Sequence, residues 1–174
     1  MKVLIACFSQ TGNTEKIARA IRDELSGGHE TRLVKIDEIE PDAAGGYDVV
    51  FVGSPCHAGD LSAQAKSFLA GLPQQGGFAV AGFITHASSA YERGGFEKCI
   101  VSFETISSGK GIPYLGCFDC QGFLSPEIQP YVRKARKVTD EEWDAIIEKM
   151  NGHPDAEDER KAREFAREVT GKVK

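Results

Sequence analysis

Three hydroxyls, two side-chain amides and a glycine are gathered in the stretch Ser9-Gln10-Thr11-Gly12-Asn13-Thr14. It follows an apolar run of strand length, Lys2 to Phe8, and precedes Ile17, Ala18, Ile21 and Leu25, which fall at helical spacing. A strand, a hydroxyl-bearing turn and a helix start make an anion site by simple physics. The first turn of a helix leaves amide N–H groups without partners, and the helix dipole favours negative charge there. Ser9, Thr11 and Thr14 add hydroxyl donors, and Gly12 lets the backbone approach closely. Lys16 stands already on the helix, so the turn itself carries no cation. Hydrogen bonds to a charged group contribute about 1.5–3 kcal/mol each, so several suffice to hold a phosphate. The same residues also read as a capped helix after a buried strand, with Thr11 or Asn13 as the cap.

Two further loops carry chemistry-bearing side chains. Ser54-Pro55-Cys56-His57-Ala58-Gly59-Asp60 follows the most apolar strand pattern in the chain, Tyr47 to Gly53. Thr85-His86-Ala87-Ser88, continuing to Tyr91, follows the apolar run Phe78 to Ile84. Cys117 and Cys120 form a C-x-x-C pair at the end of a fifth strand, Ile112 to Phe118. Such a pair serves as a redox dithiol, as half of a metal site, or as two unlinked thiols. With the usual second C-x-x-C missing, the reading is unlinked thiols, with no metal site assigned.

These loops need a frame that brings them together. A helix is expected from about Asn13 to Gly27-Gly28, and a strand over Thr31–Ile36 has the partial alternation of a sheet edge. A helix from about Ser62 carries Ala65, Phe68, Leu69 and Leu72 on one face, and Phe96, Cys99, Ile100, Phe103 and Ile106 stripe another. Strand and helix therefore alternate, the pattern of an α/β protein with a parallel sheet covered on both faces, a doubly wound sheet of five strands. Between the fifth strand and the last helix lies a helical insert, 121–153. It holds a helix start at Ser125-Pro126 running to about Val132, then a capping box at Thr139 and Glu142 ahead of Trp143, Ile146, Ile147 and Met150. Asp155 can cap the final helix, whose Ala162, Phe165, Ala166 and Val169 should dock on the sheet. The whole of 1–174 reads as a single domain.

The first turn resembles the phosphate loop of the flavodoxins, Ser/Thr-x-Thr-Gly-x-Thr, which Ser9, Thr11, Gly12 and Thr14 match at every specified position. The resemblance implies flavin mononucleotide (FMN) as cofactor, its phosphate held by Ser9–Thr14, and the strand order 2-1-3-4-5. It implies that Ser54–Asp60 flanks the isoalloxazine ring. There Gly59-Asp60 matches the family's Gly-Asp, whose glycine can turn its carbonyl toward flavin N5 on reduction. Many flavodoxins carry a bulky aromatic before that glycine, where this chain has His57-Ala58. The third loop, Thr85, His86, Ala87 and Ser88 with Tyr91, resembles the family's second flavin loop, with Tyr91 as the stacking candidate. No catalytic residue is assigned. The implied function is electron transfer between redox partner proteins or a small electron acceptor. The alternative is an NAD(P)H-dependent quinone or flavin reductase.

Composition restricts the other classes. A net charge of -5 argues against a general nucleic-acid binder, although Arg133, Lys134, Arg136 and Lys137 form a local basic patch. With 41% hydrophobic and 27% charged residues, and no apolar run of membrane-spanning length, membrane insertion is not expected and a cytoplasmic location is. An odd number of cysteines, five, does not suggest a structural disulfide framework. There is no G-x-x-x-x-G-K-[S/T] loop and no G-x-G-x-x-G fingerprint.

Overall fold

The computed structural model describes residues 1–88 and 95–173. At its centre lie β1 (Lys2–Cys7) and β3 (Val49–His57), whose apolar residues Val3–Ala6 and Val49–Val52 have no exposed surface. Near-continuous hydrophobic runs of this kind are what strands covered on both faces require. β2 (Glu30–Lys35) pairs with β1 at one edge and keeps the alternating exposure expected there. β5 (Ala79–His86) pairs with β3, and β6 (Tyr114–Gln121) closes the other edge. The parallel order is β2-β1-β3-β5-β6, which is the expected 2-1-3-4-5 when the parallel strands alone are counted. The additional strand, β4 (Asp60–Leu61), runs antiparallel to the end of β3.

Helices cover both faces. α1 (Asn13–Leu25) and α6 (Ala156–Lys172) pack on one side, where Ile17, Ile21, Ala162 and Ala166 meet Ile5, Phe51 and Phe83. α2 (Ala63–Gly71) and α3 (Glu97–Gly109) pack on the other, with Phe68, Leu69 and Phe103 against Leu4, Val50 and Ile84. Each such fully buried side chain contributes about 1.5–3 kcal/mol of transfer free energy, so both layers are strongly held. Short polar devices set the helix starts. Ser62 Oγ accepts the Ala65 amide at 3.2 Å, and Asp155 accepts the Glu157 and Asp158 amides at 2.9 and 3.0 Å.

Several boundaries differ from expectation. β3 does not stop at Gly53. It continues through Ser54, Pro55, Cys56 and His57, because the β4 backbone pairs with Cys56 and His57 and extends the ladder. β6 includes Gln121, the first residue of the span read as an insert, because it pairs with His86. The short helix of the insert is α4 (Gln129–Arg136), starting later than Ser125-Pro126 and running past Val132. The capping box at Thr139 and Glu142 forms as expected and opens α5 (Asp140–Met150). No helix among the described residues is long and apolar enough to cross a membrane.

Candidate functional site

A cavity of about 680 Å³ opens at the carboxyl ends of β1, β3 and β5. Its first wall is the β1–α1 turn, where Gln10, Thr11, Asn13 and Thr14 line the space. Neither Thr11 nor Asn13 caps the helix. Gly12 does, in the left-handed conformation at φ 87°, and it offers no side-chain cap. Ser9 Oγ serves from further back and accepts the Glu15 amide at 3.3 Å. Among the described residues, nothing accepts from the Asn13 and Thr14 amides, the first two of α1.

The side chains of this turn are tied to remote parts of the chain. Thr14 is buried, and its hydroxyl meets the Thr85 hydroxyl at 2.9 Å. Asn13 Nδ2 donates to the Phe123 carbonyl at 2.9 Å. Helix dipole, open amides and the Thr11 hydroxyl therefore converge on one end of the cavity, a donor set suited to a phosphate.

The second wall comes from the end of β3, where Pro55, Cys56 and His57 line the cavity. Ser54 lies beneath it with no exposed surface, its hydroxyl donating to Pro55 O at 2.8 Å and accepting the Ser62 amide at 2.9 Å. Ala58 and Gly59 form the two-residue connection to β4, with φ of 50° and 86°. Two successive positive φ values are what the right-handed twist of a tight hairpin demands, and Gly59 meets that demand without strain whereas Ala58 does not. Asp60 does not line the cavity. Its carboxylate sits 2.6 Å from Lys66 Nζ and 3.1 Å from Lys98 Nζ, and it accepts the Ser102 hydroxyl at 2.8 Å and the Leu61 amide at 2.8 Å. Burial pushes this carboxyl up, but the Lys66, Ser102, Lys98 and Leu61 hydrogen bonds outweigh it and hold the group well below the usual carboxylate range.

Thr85, His86 and Ala87 supply the third wall. His86 is buried and its orientation is determined on three sides. The Ser88 amide donates to Nδ1 at 3.2 Å, Nε2 meets Asp119 Oδ2 at 3.1 Å, and the ring stacks on Phe96 with centroids 4.0 Å apart. Because Nδ1 accepts, Nε2 carries the proton and donates it to Asp119. Tyr91 lies outside the described residues.

The fourth wall was not expected. Gly122, Phe123, Leu124, Ser125, Pro126, Glu127 and Ile128 line the cavity from the start of the insert. Gly122 N donates to His86 O at 2.8 Å, and a β-carbon there would come within 3.2 Å of Asn13 Nδ2 and 3.3 Å of Thr85 Cβ. A larger residue there would press on the Asn13 side chain and on Thr85, so glycine eases the close approach that seats this segment. Nothing in the composition of Gly122–Ile128 marks it as a cavity wall, since its place depends on contacts with residues far away in sequence.

The C-x-x-C pair is separated by the sheet. Cys117 packs with the α2–α3 layer, while Cys120 packs with the α1–α6 layer. Residues three apart on a strand point to opposite faces, so the two thiols do not meet. Burial raises the pKa of both thiols.

The flavodoxin domain model matches residues 4–167, and the chain belongs to this family. BilS of Clostridioides difficile, a flavodoxin-like domain-containing protein, is 27% identical over 177 residues, covering 97% of this chain and 96% of that protein. The oxidised flavodoxin 2 of Bacillus cereus has a TM-score of 0.71 at 25% identity, over 99% of this chain and 100% of that one. The Fusobacterium nucleatum flavodoxin bound to flavin mononucleotide shares the fold at a TM-score of 0.61 and 13% identity, over 99% of each chain.

Proposed function

We propose that the cavity binds FMN and that the protein passes electrons between redox partners through it. The observation that carries this reading is the pair of open amides at the start of α1, facing a cavity already lined by the Thr11 hydroxyl. Gln10, Thr11, Asn13 and Thr14 would hold the phosphate, while Pro55–His57 and Thr85–Ala87 would border the ring. The residues present fit such a group, because the phosphate end offers donors and the remaining walls are largely apolar or neutral. Bound FMN supplies one- and two-electron redox chemistry. The chain's own part is to bind it, orient it and keep one side open to a partner.

The test compares FMN with riboflavin, which lacks the phosphate. Thr11→Val keeps the volume and removes a donor worth about 1.5–3 kcal/mol toward a charged group. FMN affinity, followed by quenching of flavin fluorescence, should fall about tenfold or more, while riboflavin affinity stays unchanged. An equal loss for both ligands would sink the phosphate assignment. Steady-state oxidation of NAD(P)H by the purified protein alone would make it a reductase rather than a carrier.

A further inference from the structure

α4 differs from every other helix among the described residues. Each of the others buries at least one side chain, whereas α4 (Gln129–Arg136) buries none. Its apolar side chains are turned outward. Ile128, Tyr131 and Ala135 fall at i, i+3 and i+7, one stripe of a helix, and all three are exposed. Tyr131 is 75% exposed and Ile128 44%, and only two other large apolar side chains among the described residues are exposed, Met1 and Val101 on separate segments. The stripe begins at the cavity rim, because Ile128 also lines the cavity.

The same segment opposes the chain in charge. Residues 122–138 hold four bases, Arg133, Lys134, Arg136 and Lys137, against one acid, Glu127, in a chain of net charge -5. Arg133 is tied to Asp140. No hydrogen bond or ion pair engages the Lys134 or Lys137 ammonium among the described residues. With Arg133 they line a groove of about 460 Å³ that has Trp143 in its wall, adjoins the cavity at Pro126 and is lined by no acidic side chain. Cations in a last turn suit the helix dipole, but the dipole gives no reason for an aromatic ring left in solvent beside them. Aromatic and aliphatic anchors flanked by charge are the composition of a protein interface. A lipid surface fits less well. Binding there scales with buried apolar area, and this stripe offers two large side chains on a chain whose net charge repels anionic headgroups.

We propose that α4 is the docking surface for an acidic redox protein, with Ile128 and Tyr131 at its apolar centre and Lys134 and Lys137 at its charged flank. The partner's carboxylates face the two lysines, and its apolar centre covers the stripe, which seats it over the rim of the cavity. The docking stands on α4 alone; that electrons then cross rests on the FMN reading of the cavity. The field at this rim is opposite in sign to the net charge of the chain. Steering by it shows in how salt changes the rate of encounter.

The probe is an acidic plant-type ferredoxin. Reduced, it is mixed in stopped flow with the oxidised FMN-loaded protein, and flavin reduction is followed from low to high ionic strength. The rate should fall as salt rises, because local attraction outweighs the repulsion between two acidic chains. Lys134→Glu combined with Lys137→Glu should reverse that trend and slow the reaction about tenfold or more at low salt. Tyr131→Ala should slow it at every ionic strength with the salt trend kept. None of these three side chains is buried, so the variants keep the fold. A wild-type rate that rises with salt, or one that the variants leave unchanged, overturns the proposal. Carbodiimide cross-linking of the same two proteins, mapped by mass spectrometry, needs no flavin. Bonds from ferredoxin carboxylates to Lys134 and Lys137 support the docking even where FMN binding fails, and bonds only to lysines of other elements overturn it. Sedimentation with phosphatidylserine vesicles that Tyr131→Ala abolishes assigns the stripe to a membrane and overturns it as well.

Discussion

The β1–α1 turn and the β3–β4 hairpin both border the cavity, yet they are held by different forces. The turn is fixed by neutral hydrogen bonds to distant segments, Thr14 to Thr85 and Asn13 to Phe123. The hairpin is fixed by charge, with the Asp60 carboxylate held between Lys66 and Lys98. The first arrangement consumes side chains and leaves backbone amides open toward the cavity. The second consumes the one carboxylate of its loop and draws it away from the cavity, so that no negative charge from Asp60 faces an anionic ligand. A turn held through its side chains keeps its backbone amides for a ligand, and a neighbour held through its charge keeps that charge out of the cavity.

The largest effect should come from breaking the charged anchor. Asp60→Asn preserves the shape but removes the charge from hydrogen bonds to two lysines, at a cost of about 2 kcal/mol at neutral pH. Because the folded carboxyl titrates below its free value, its contribution is present above the unfolded pKa of about 3.9 and is lost as the pH falls toward the folded one. Urea unfolding should therefore show a full difference between the two proteins at pH 7 that shrinks below about pH 4. A difference that stays constant with pH would show that the cluster stabilises through packing rather than charge.

A smaller effect is expected on the neutral side. Asn13→Ala removes the side-chain bond to the Phe123 carbonyl and should cost about 1 kcal/mol. Its local consequence is more informative. Hydrogen exchange should speed up in Gly122–Ile128 while the β1, β3 and β5 amides keep their protection. If exchange in that wall is unchanged, Gly122 N to His86 O and its neighbours hold the segment without Asn13.

The smallest effect is a gain. Ala58 sits at φ 50°, where an L-residue with a β-carbon pays about 1–2 kcal/mol. Ala58→Gly relieves that strain but adds freedom to the unfolded chain, worth about 0.5–1 kcal/mol in the other direction. The net should be a modest rise in melting temperature, with the cavity walls unaltered. A fall would mean that the hairpin backbone is not the strained element. Gly59→Ala is no substitute for this test, since its β-carbon would lie 3.0 Å from the Gly95 carbonyl at a φ of 86°.

Much of the fold was legible in the residues alone because the relevant signals are local. Continuous apolar runs marked β1, β3 and β5; apolar spacing marked α1, α2 and α3; and Thr139 and Asp155 cap as read, while the helix expected from about Ser62 opens with Ser62 as its cap. The Ser9–Thr14 turn was legible for the same reason, since strand, turn and helix start follow each other within a few residues. Its cap was misjudged. Propensity favoured Thr11 or Asn13, but Asn13 is drawn to Phe123, and the backbone turn falls at Gly12.

What the sequence determined by itself was the alternation of strand and helix, the parallel doubly wound sheet and the one turn suited to an anion, because each depends on neighbours along the chain. The tertiary structure alone decided the continuation of β3 to His57, the removal of Asp60 to its lysines and the seating of Gly122–Ile128 as a wall. Each of these joins residues that local patterning treats separately, through pairings whose energy appears only once the sheet has brought the strand ends together.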